Sequence, residues 1–120
     1  MLERSIQIDA RREPRFPVHW RAGLKLPSGR IIELRVRDIS ESGMGFVATE
    51  AVPPAATLEV RVRVPDPGNP AQTVDVAGTV KVAYVAMRGY EFAVGVTWAE
   101  RNDADRELLS RWMRKMHWGF

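Results

Sequence analysis

The chain has 120 residues, of which 45% are hydrophobic and 28% are charged, with a formal net charge of +3 at pH 7. This length suits a single domain with its own core, and the composition is that of a globular protein rather than of a disordered or fibrous one. The absence of cysteine excludes disulfide frameworks, thiolate metal sites and cysteine nucleophiles.

The sequence also bears on where the protein works. No apolar run reaches the length that a membrane-spanning helix needs, and the first residues lack the apolar stretch of a signal peptide. We therefore expect a cytoplasmic protein that is not embedded in a membrane. The six basic residues among the first 25 outnumber the three acidic ones, and five of the six are arginine, whose fork suits phosphates and guanine edges. This bias favours an anionic partner.

The segment Arg11–Pro17 precedes the first predicted strand. Pro14 and Pro17 favour extended backbone for the residues before them, so we expect the arginines to lie on a loop or an extended arm. In an extended arm Arg11 and Arg15 lie on one side, about 13 Å apart. Two guanidinium groups so placed could grip two phosphates, or one phosphate and a guanine edge, of a single anion. On composition alone, a solvated basic tail is the favoured alternative.

From Val18 to Trp98 apolar and polar residues alternate, with turn residues about every eight to twelve positions. This pattern is typical of a small antiparallel barrel or sandwich, and it predicts about six strands. Gly78 interrupts one apolar run and indicates a bulge or a bend. The alternation predicts that the following side chains point inward: Ile32, Leu34, Val36, Leu58, Val60, Val62, Val64, Val74, Val76, Val80, Val82, Tyr84, Tyr90, Phe92, Val94, Val96 and Trp98.

The segment Asp38–Gly43 follows the second predicted strand. Asp38 continues the inward register of that strand, so we expect its carboxylate at the barrel rim. There it could accept hydrogen bonds from guanine N1 and N2, with the Ser40 hydroxyl adding another, while Gly43 permits positive φ or a close approach of the backbone to a ligand. Ordinary turn chemistry explains the same residues, and taken alone it is the better explanation.

A helix is predicted at the end of the chain. Asn102 or Asp103 can cap it, and its first turns are acidic whereas its last are basic, which complements the helix dipole. Its apolar residues share one face, as in a helix that packs across the barrel or closes one end. These residues are Leu108, Leu109, Trp112, Met113 and Met116.

The order and spacing of the two segments on a small barrel resemble the PilZ domain family. That family carries R-x-x-x-R before the first strand and D/N-x-S-x-x-G roughly twenty to thirty residues later, and Arg11–Arg15 and Asp38–Gly43 match both motifs. Further similarity lies in Phe16-Pro17-Val18, in Gly43-Met44-Gly45-Phe46 and in Ala93-Val94-Gly95-Val96. The resemblance covers about residues 10–118.

The resemblance implies an all-β fold with a C-terminal helix: a six-stranded antiparallel barrel at about residues 17–99, one helix at about 103–116 and a flexible arm at 1–9. It implies a receptor that binds cyclic di-GMP on its outer rim as the arm wraps over the ligand, without a metal or cofactor. Ala10 occupies a position that influences ligand stoichiometry in the family. The ligand residues carried over from the two motifs are Arg11, Arg12, Arg15, Asp38, Ser40 and Gly43.

We interpret the chain as an adaptor that passes the messenger signal to an unidentified protein effector. One alternative is a barrel that binds single-stranded nucleic acid through Arg35, Arg37, Arg61 and Arg63, if their strands are neighbours. Another is a ligand-independent adaptor that acts through protein contacts, for which Trp112, Trp118, Phe120 or the outer arginines are candidates. Catalysis has little support, since His19 and His117 lie near opposite ends of the chain and no metal or nucleophile motif occurs.

Overall fold

The computed structural model describes residues 13–117, in which six antiparallel strands close into a barrel and one helix follows. Around the barrel the strand order is β1-β2-β3-β6-β5-β4, and β4 pairs with β1 to close it. The prediction of a six-stranded antiparallel barrel with one C-terminal helix is confirmed. The elements are β1 (Phe16–Lys25), β2 (Ile31–Ile39), β3 (Gly43–Ala48), β4 (Thr57–Asp66), β5 (Asn69–Arg88), β6 (Glu91–Arg101) and α1 (Asp103–His117).

The barrel interior is the hydrophobic core, and period-two alternation of the strands builds it. In β4 every second residue from Leu58 to Val64 is buried, whereas Glu59, Arg61 and Arg63 are exposed. Burying one such aliphatic side chain contributes about 1.5–3 kcal/mol, which makes the inward register of each strand specific. The largest fully buried side chains are Phe46, Leu24, Ile39 and Met44.

A bulge in β5 changes the side of the sheet that Tyr84 faces. The pairing of β5 with β6 joins Val82 to Val96 and then Tyr84 to Gly95, so that Ala83 is an extra residue. Because a single extra residue reverses the alternation, Tyr84 lies on the outer surface with 42% of its area exposed. Its predicted inward position is therefore wrong.

Gly78 lies within a continuous 20-residue strand rather than at a break. A Cβ atom at this position would lie 2.2 Å from the carbonyl oxygen of Glu100, so only glycine allows β5 and β6 to approach this closely. The pairing of the two strands shifts just beyond it, between Thr79 and Val80. The predicted irregularity therefore exists in the register and leaves the strand unbroken.

Helix α1 begins at a capped N-terminus and packs on the barrel wall. The side chain of Asn102 accepts a hydrogen bond from the backbone N–H of Asp105 at 2.7 Å, as an N-cap residue does. Trp112 donates from Nε1 to the carbonyl oxygen of Pro65 at 2.6 Å, and its ring meets Trp20 edge-on with the centroids 5.8 Å apart. These contacts fix the helix against β1 and the end of β4. Within residues 13–117 no helix has the length and apolarity to cross a membrane.

Candidate functional site

Asp38 lies on the outer surface of the barrel, although the alternation of β2 predicts an inward side chain. The pairing of β2 with β3 joins Val36 to Phe46 and then Asp38 to Gly45, which leaves Arg37 as an extra residue. Since Phe46 points into the core, the next pair points outward. Bulges of this kind commonly redirect a side chain beside a binding site. The predicted inward register of Asp38 is thus wrong.

Two arginines hold the carboxylate of Asp38. Arg15 donates from Nη1 to Oδ1 at 2.9 Å, and Arg37 donates from Nε to Oδ2 at 3.2 Å. The Asp38 side chain is 16% exposed, whereas that of Arg15 is 48% exposed. Charge-assisted bonds of this type fix the carboxylate, and each carboxylate oxygen can accept more than one hydrogen bond, so a further donor can be accommodated. Residues from the two sequence motifs therefore meet in space.

The turn between β2 and β3 is closed by Ser40. Its backbone N–H bonds the carbonyl oxygen of Gly43 at 3.0 Å, and its hydroxyl oxygen accepts from the N–H of Gly43 at 3.2 Å. Only 3% of Ser40 is exposed. In this conformation Ser40 therefore shapes the turn and faces no solvent.

Gly43 is required by the packing of two strands. The glycines with positive φ in residues 13–117 are Gly29 and Gly89, so Gly43 does not use left-handed backbone. A Cβ atom on Gly43 would instead lie 2.0 Å from the carbonyl oxygen of Val96. Of the two roles predicted for this glycine, positive φ is wrong, and the close approach is to β6.

Glu13, shortly before β1, bonds to the same turn. The Ser42 hydroxyl donates to Glu13 Oε1 at 2.7 Å. The pKa of Glu13 lies below its ordinary value. Burial alone would raise this pKa, but hydrogen bonds from Ser42 and Ser40 and the charge of Arg15 lower it by more. Together with the contact between Arg15 and Asp38, this bond ties the start of β1 to the rim.

Arg101 holds the other side of the turn. Its Nη2 donates to the carbonyl oxygen of Glu41 at 2.9 Å, and its guanidinium lies over the ring of Trp98, 5.0 Å from the ring centre. The Trp98 backbone N–H donates to the carbonyl oxygen of Ser42 at 2.8 Å. Burial lowers the pKa of the Arg101 guanidinium, and the nearby charge of Arg106 lowers it further. The turn is thus anchored to β6 from both backbone and side chain.

A row of paired residues crosses four strands from Asp38 to Tyr84. Asp38 pairs with Gly45, Gly45 with Gly95, and Gly95 with Tyr84. A Cβ on Gly45 would lie 2.8 Å from Asp38 Oδ1, and one on Gly95 would lie 2.1 Å from the Tyr84 ring. The carboxylate and the ring therefore rest directly on the two glycines. Three strand spacings separate the row's ends, about 15 Å. We call these four residues the glycine row.

Of the six residues predicted to bind the ligand, the structure brings Arg15 and Asp38 into contact and places Ser40 and Gly43 in the adjoining turn. Arg11 and Arg12 lie outside the described residues. The sequence reasoning missed three further residues, which are Glu13, Arg37 and Tyr84. Gly45 and Gly95, each inside an apolar strand, were the available signal for Tyr84, because glycine in a strand marks a close approach.

The outer arginines are arranged differently from the stripe considered for nucleic acid. Strands β2 and β4 are not neighbours, since β1 lies between them and places Arg21 between Arg35 and Arg63. Arg63 pairs with Asp75 at 3.6 Å and Arg35 with Glu91 at 3.4 Å. Carboxylates interspersed in this way repel a phosphate backbone. Among residues 13–117 no group of acidic or histidine side chains could hold a metal ion.

The chain is thus a small β domain, a closed barrel followed by one helix. Its candidate site, the pair of Arg15 and Asp38, lies on the outside of the barrel at the rim. The family profile of the PilZ domain matches residues 9–115, and the chain belongs to this family. No curated protein matches the chain.

Solved structures of PilZ proteins share the fold. The inhibitor of motility of Bacillus subtilis, MotI/DgrA, aligns with a TM-score of 0.75 at 14% identity, over 89% of this chain and 51% of that chain. YcgR of Escherichia coli in complex with c-di-GMP gives 0.68 at 16% identity, over 88% and 45%. The PilZ domain of YcgR with c-di-GMP gives 0.61 at 15% identity, over 91% and 98%. The chain thus spans about half the length of the first two proteins.

Proposed function

We propose that this chain is a cytoplasmic receptor for cyclic di-GMP, which changes the conformation of its N-terminal arm on binding and signals to a protein effector. The observation that supports this most is the 2.9 Å contact between Arg15 and Asp38, because it joins the two family motifs at one point of the rim. The similarity to YcgR and to its PilZ domain, both solved with c-di-GMP, adds to it. The proposed ligand residues are Arg11, Arg12, Arg15, Asp38, Ser40 and Gly43, of which Ser40 and Gly43 would act by shaping the turn beside Asp38.

In this proposal the ligand replaces the contact between Arg15 and Asp38. A guanine base offers N1–H and N2–H donors to the carboxylate, and the released guanidinium binds a phosphate or the acceptor edge of the base. A partly exposed ion pair contributes only about 0–1 kcal/mol, whereas a hydrogen bond to a charged group contributes about 1.5–3 kcal/mol. The exchange is therefore favourable when the ligand engages both groups.

Arm movement follows from the same exchange. Arg15 and Glu13 contact the rim through Asp38 and Ser42, so breaking one of these contacts alters the path of the chain that precedes β1. Ordering an arm over the ligand costs conformational entropy, and charge-assisted contacts from the arginines offset it. A ligand that binds one arm conformation better shifts the population toward it. The effector would recognise that conformation.

Tyr84 is the residue of the glycine row suited to stacking on a guanine. Tyr84 is 42% exposed, and one face of its ring rests on Gly95, so the opposite face is available. Stacking of a base on an aromatic ring contributes about 1–3 kcal/mol, and we expect Tyr84→Ala to weaken cyclic di-GMP binding roughly 5- to 150-fold by calorimetry. Tyr90→Ala is the matched control, because Tyr90 is 97% exposed in a turn. Equal affinities of the two variants for cyclic di-GMP would show that Tyr84 does not contact the ligand.

Isothermal titration of the full chain with cyclic di-GMP tests the function, with GTP and cyclic di-AMP as controls. We expect saturable binding in the low micromolar range, at about 1 µM to 10 µM, that is selective for the guanine dinucleotide. The fitted ratio also distinguishes one bound dinucleotide from two. Absence of both heat and thermal stabilisation at a ligand concentration of about 100 µM would contradict the proposal and favour a ligand-independent adaptor.

A further inference from the structure

Near its C-terminal end, β5 has one edge without a neighbouring strand among residues 13–117. Pairing with β4 ends at Lys81, and Val82 then bonds the backbone of Ala55 at 3.2 Å and of Ala56 at 2.9 Å. From residue 83 to residue 88, β5 pairs only with β6 within the part of the chain that the structure describes. Every second backbone N–H and C=O of an edge strand points away from its neighbour and is available to another chain. We call residues 83–88 the free edge.

Exposed apolar side chains concentrate at the same place. Residues 13–117 contain five exposed large hydrophobic residues, and three of them, Tyr84, Met87 and Tyr90, lie within seven residues at the tip of the hairpin of β5 and β6. Met87 is 69% exposed. Proteins usually protect a free edge with lysine, proline or inward charges, but this edge carries one charge, Arg88, at its end. Unpaired backbone and apolar surface therefore coincide.

We propose that the free edge binds the free edge of a second copy of this chain, forming an antiparallel two-fold dimer that continues the sheet. An isologous contact of this kind uses the same segment from both copies, as two-fold symmetry requires. Its nearly uncharged sequence repels neither its own copy nor a neutral strand. Antiparallel pairing also keeps the Arg88 guanidinium groups of the two copies apart, whereas parallel pairing would place them side by side.

One register fits the side chains especially well. With the two-fold axis at Ala86, Arg88 of each copy lies opposite Tyr84 of the other, and Met87 lies opposite Val85. A guanidinium beside a tyrosine ring is a favourable cross-strand pair, and so are two apolar side chains. The two Arg88 residues then lie about 13 Å apart along the strands. These cross-strand pairs favour an antiparallel second copy as the occupant.

Sedimentation equilibrium of the full chain without nucleotide tests the dimer, so that its outcome is independent of cyclic di-GMP binding. We expect the mass to rise toward twice the monomer mass between about 10 µM and 1 mM protein. Met87→Lys should raise the dimer dissociation constant at least about tenfold, because lysine disfavours edge pairing. Ile31→Lys is the matched control and should leave it unchanged, since Ile31 is 64% exposed on β2.

A purely monomeric wild-type chain at about 1 mM would overturn the proposal. So would a dimer that survives Met87→Lys and is lost in Ile31→Lys. Hydrogen exchange locates the contact independently of any variant: amides of residues 83–88 should gain protection as protein concentration rises. Protection gained elsewhere and not at the free edge would also overturn it.

Discussion

Replacing Arg15 by alanine is expected to abolish micromolar binding of cyclic di-GMP while leaving thermal stability nearly unchanged. Truncating one partner of a charge-assisted contact with a ligand commonly costs about 2–5 kcal/mol, which is roughly a 30-fold to several-thousand-fold loss of affinity. In the free protein the Arg15 side chain is 48% exposed and its bond to Asp38 is partly screened by water. Its contribution to folding is therefore only about 0–1 kcal/mol.

Arg63→Ala is the matched control for this variant. Arg63 also pairs with an aspartate, Asp75, and its side chain is 65% exposed, but it lies on β4, away from the motifs. In calorimetry the Arg63→Ala variant should bind cyclic di-GMP as the wild type does, whereas Asp38→Ala should lose binding as Arg15→Ala does. Retained affinity in both Arg15→Ala and Asp38→Ala would refute the assignment of the site.

Gly43→Ala is expected to reduce the free energy of unfolding by about 3 kcal/mol, although it adds only a methyl group. The new Cβ would lie 2.0 Å from the carbonyl oxygen of Val96, and this atom is backbone that cannot rotate away. Strands β3 and β6 would have to separate at the point where they hold the Ser40 turn. Thermal denaturation should show a decrease in Tm of roughly 10 °C.

Gly68→Ala provides the comparison for this substitution. Its Cβ would approach the Asp66 side chain no closer than 3.5 Å, which is ordinary contact distance, so its stability should remain near that of the wild type. If Gly43→Ala and Gly68→Ala had the same Tm, the close approach of β3 and β6 would not be the reason for glycine at position 43.

The barrel and the helix could be predicted because their signals are local. Alternation in β4 places Leu58 and Val62 in the core without reference to any other strand. The helix begins where Asn102 can cap it, and its buried Leu108 and Leu109 were already apparent as one apolar face. Patterns of this kind are set by neighbouring residues in the chain, so the sequence alone carries them.

The faces of Asp38 and Tyr84 could not be predicted in this way. Each follows a bulge, at Arg37 and at Ala83, and both bulges arise from the register with a partner strand. A single extra residue reverses the inward and outward sides while leaving the apolar pattern almost intact. Strand alternation therefore predicted inward positions for Asp38 and Tyr84, which the structure places on the outer surface. The inward positions predicted for Val74 and Tyr90 are wrong as well, since these residues are 38% and 97% exposed.

Only part of the candidate site could be predicted, because some of its contacts depend on how distant segments of the chain come together. The motif residues Arg15 and Asp38 could be recognised because their spacing in the sequence resembles that of a family. Two other contacts depend on the folded structure. Ser42 bonds to Glu13 because the turn lies against the residues before β1, and Arg37 reaches Asp38 because of the bulge in β2. The position of β1 between β2 and β4, which separates the outer arginines, likewise depends on strand order rather than on local sequence.

The most direct test of the receptor proposal is an NMR titration of the isotopically labelled chain with cyclic di-GMP, following every backbone amide. We expect saturable shifts at the glycine row, from Asp38 through Gly45 and Gly95 to Tyr84, and unchanged resonances on the outer face around Arg63. Shifts confined to the outer face around Arg63, or no shifts at a ligand concentration of about 1 mM, would contradict the proposal.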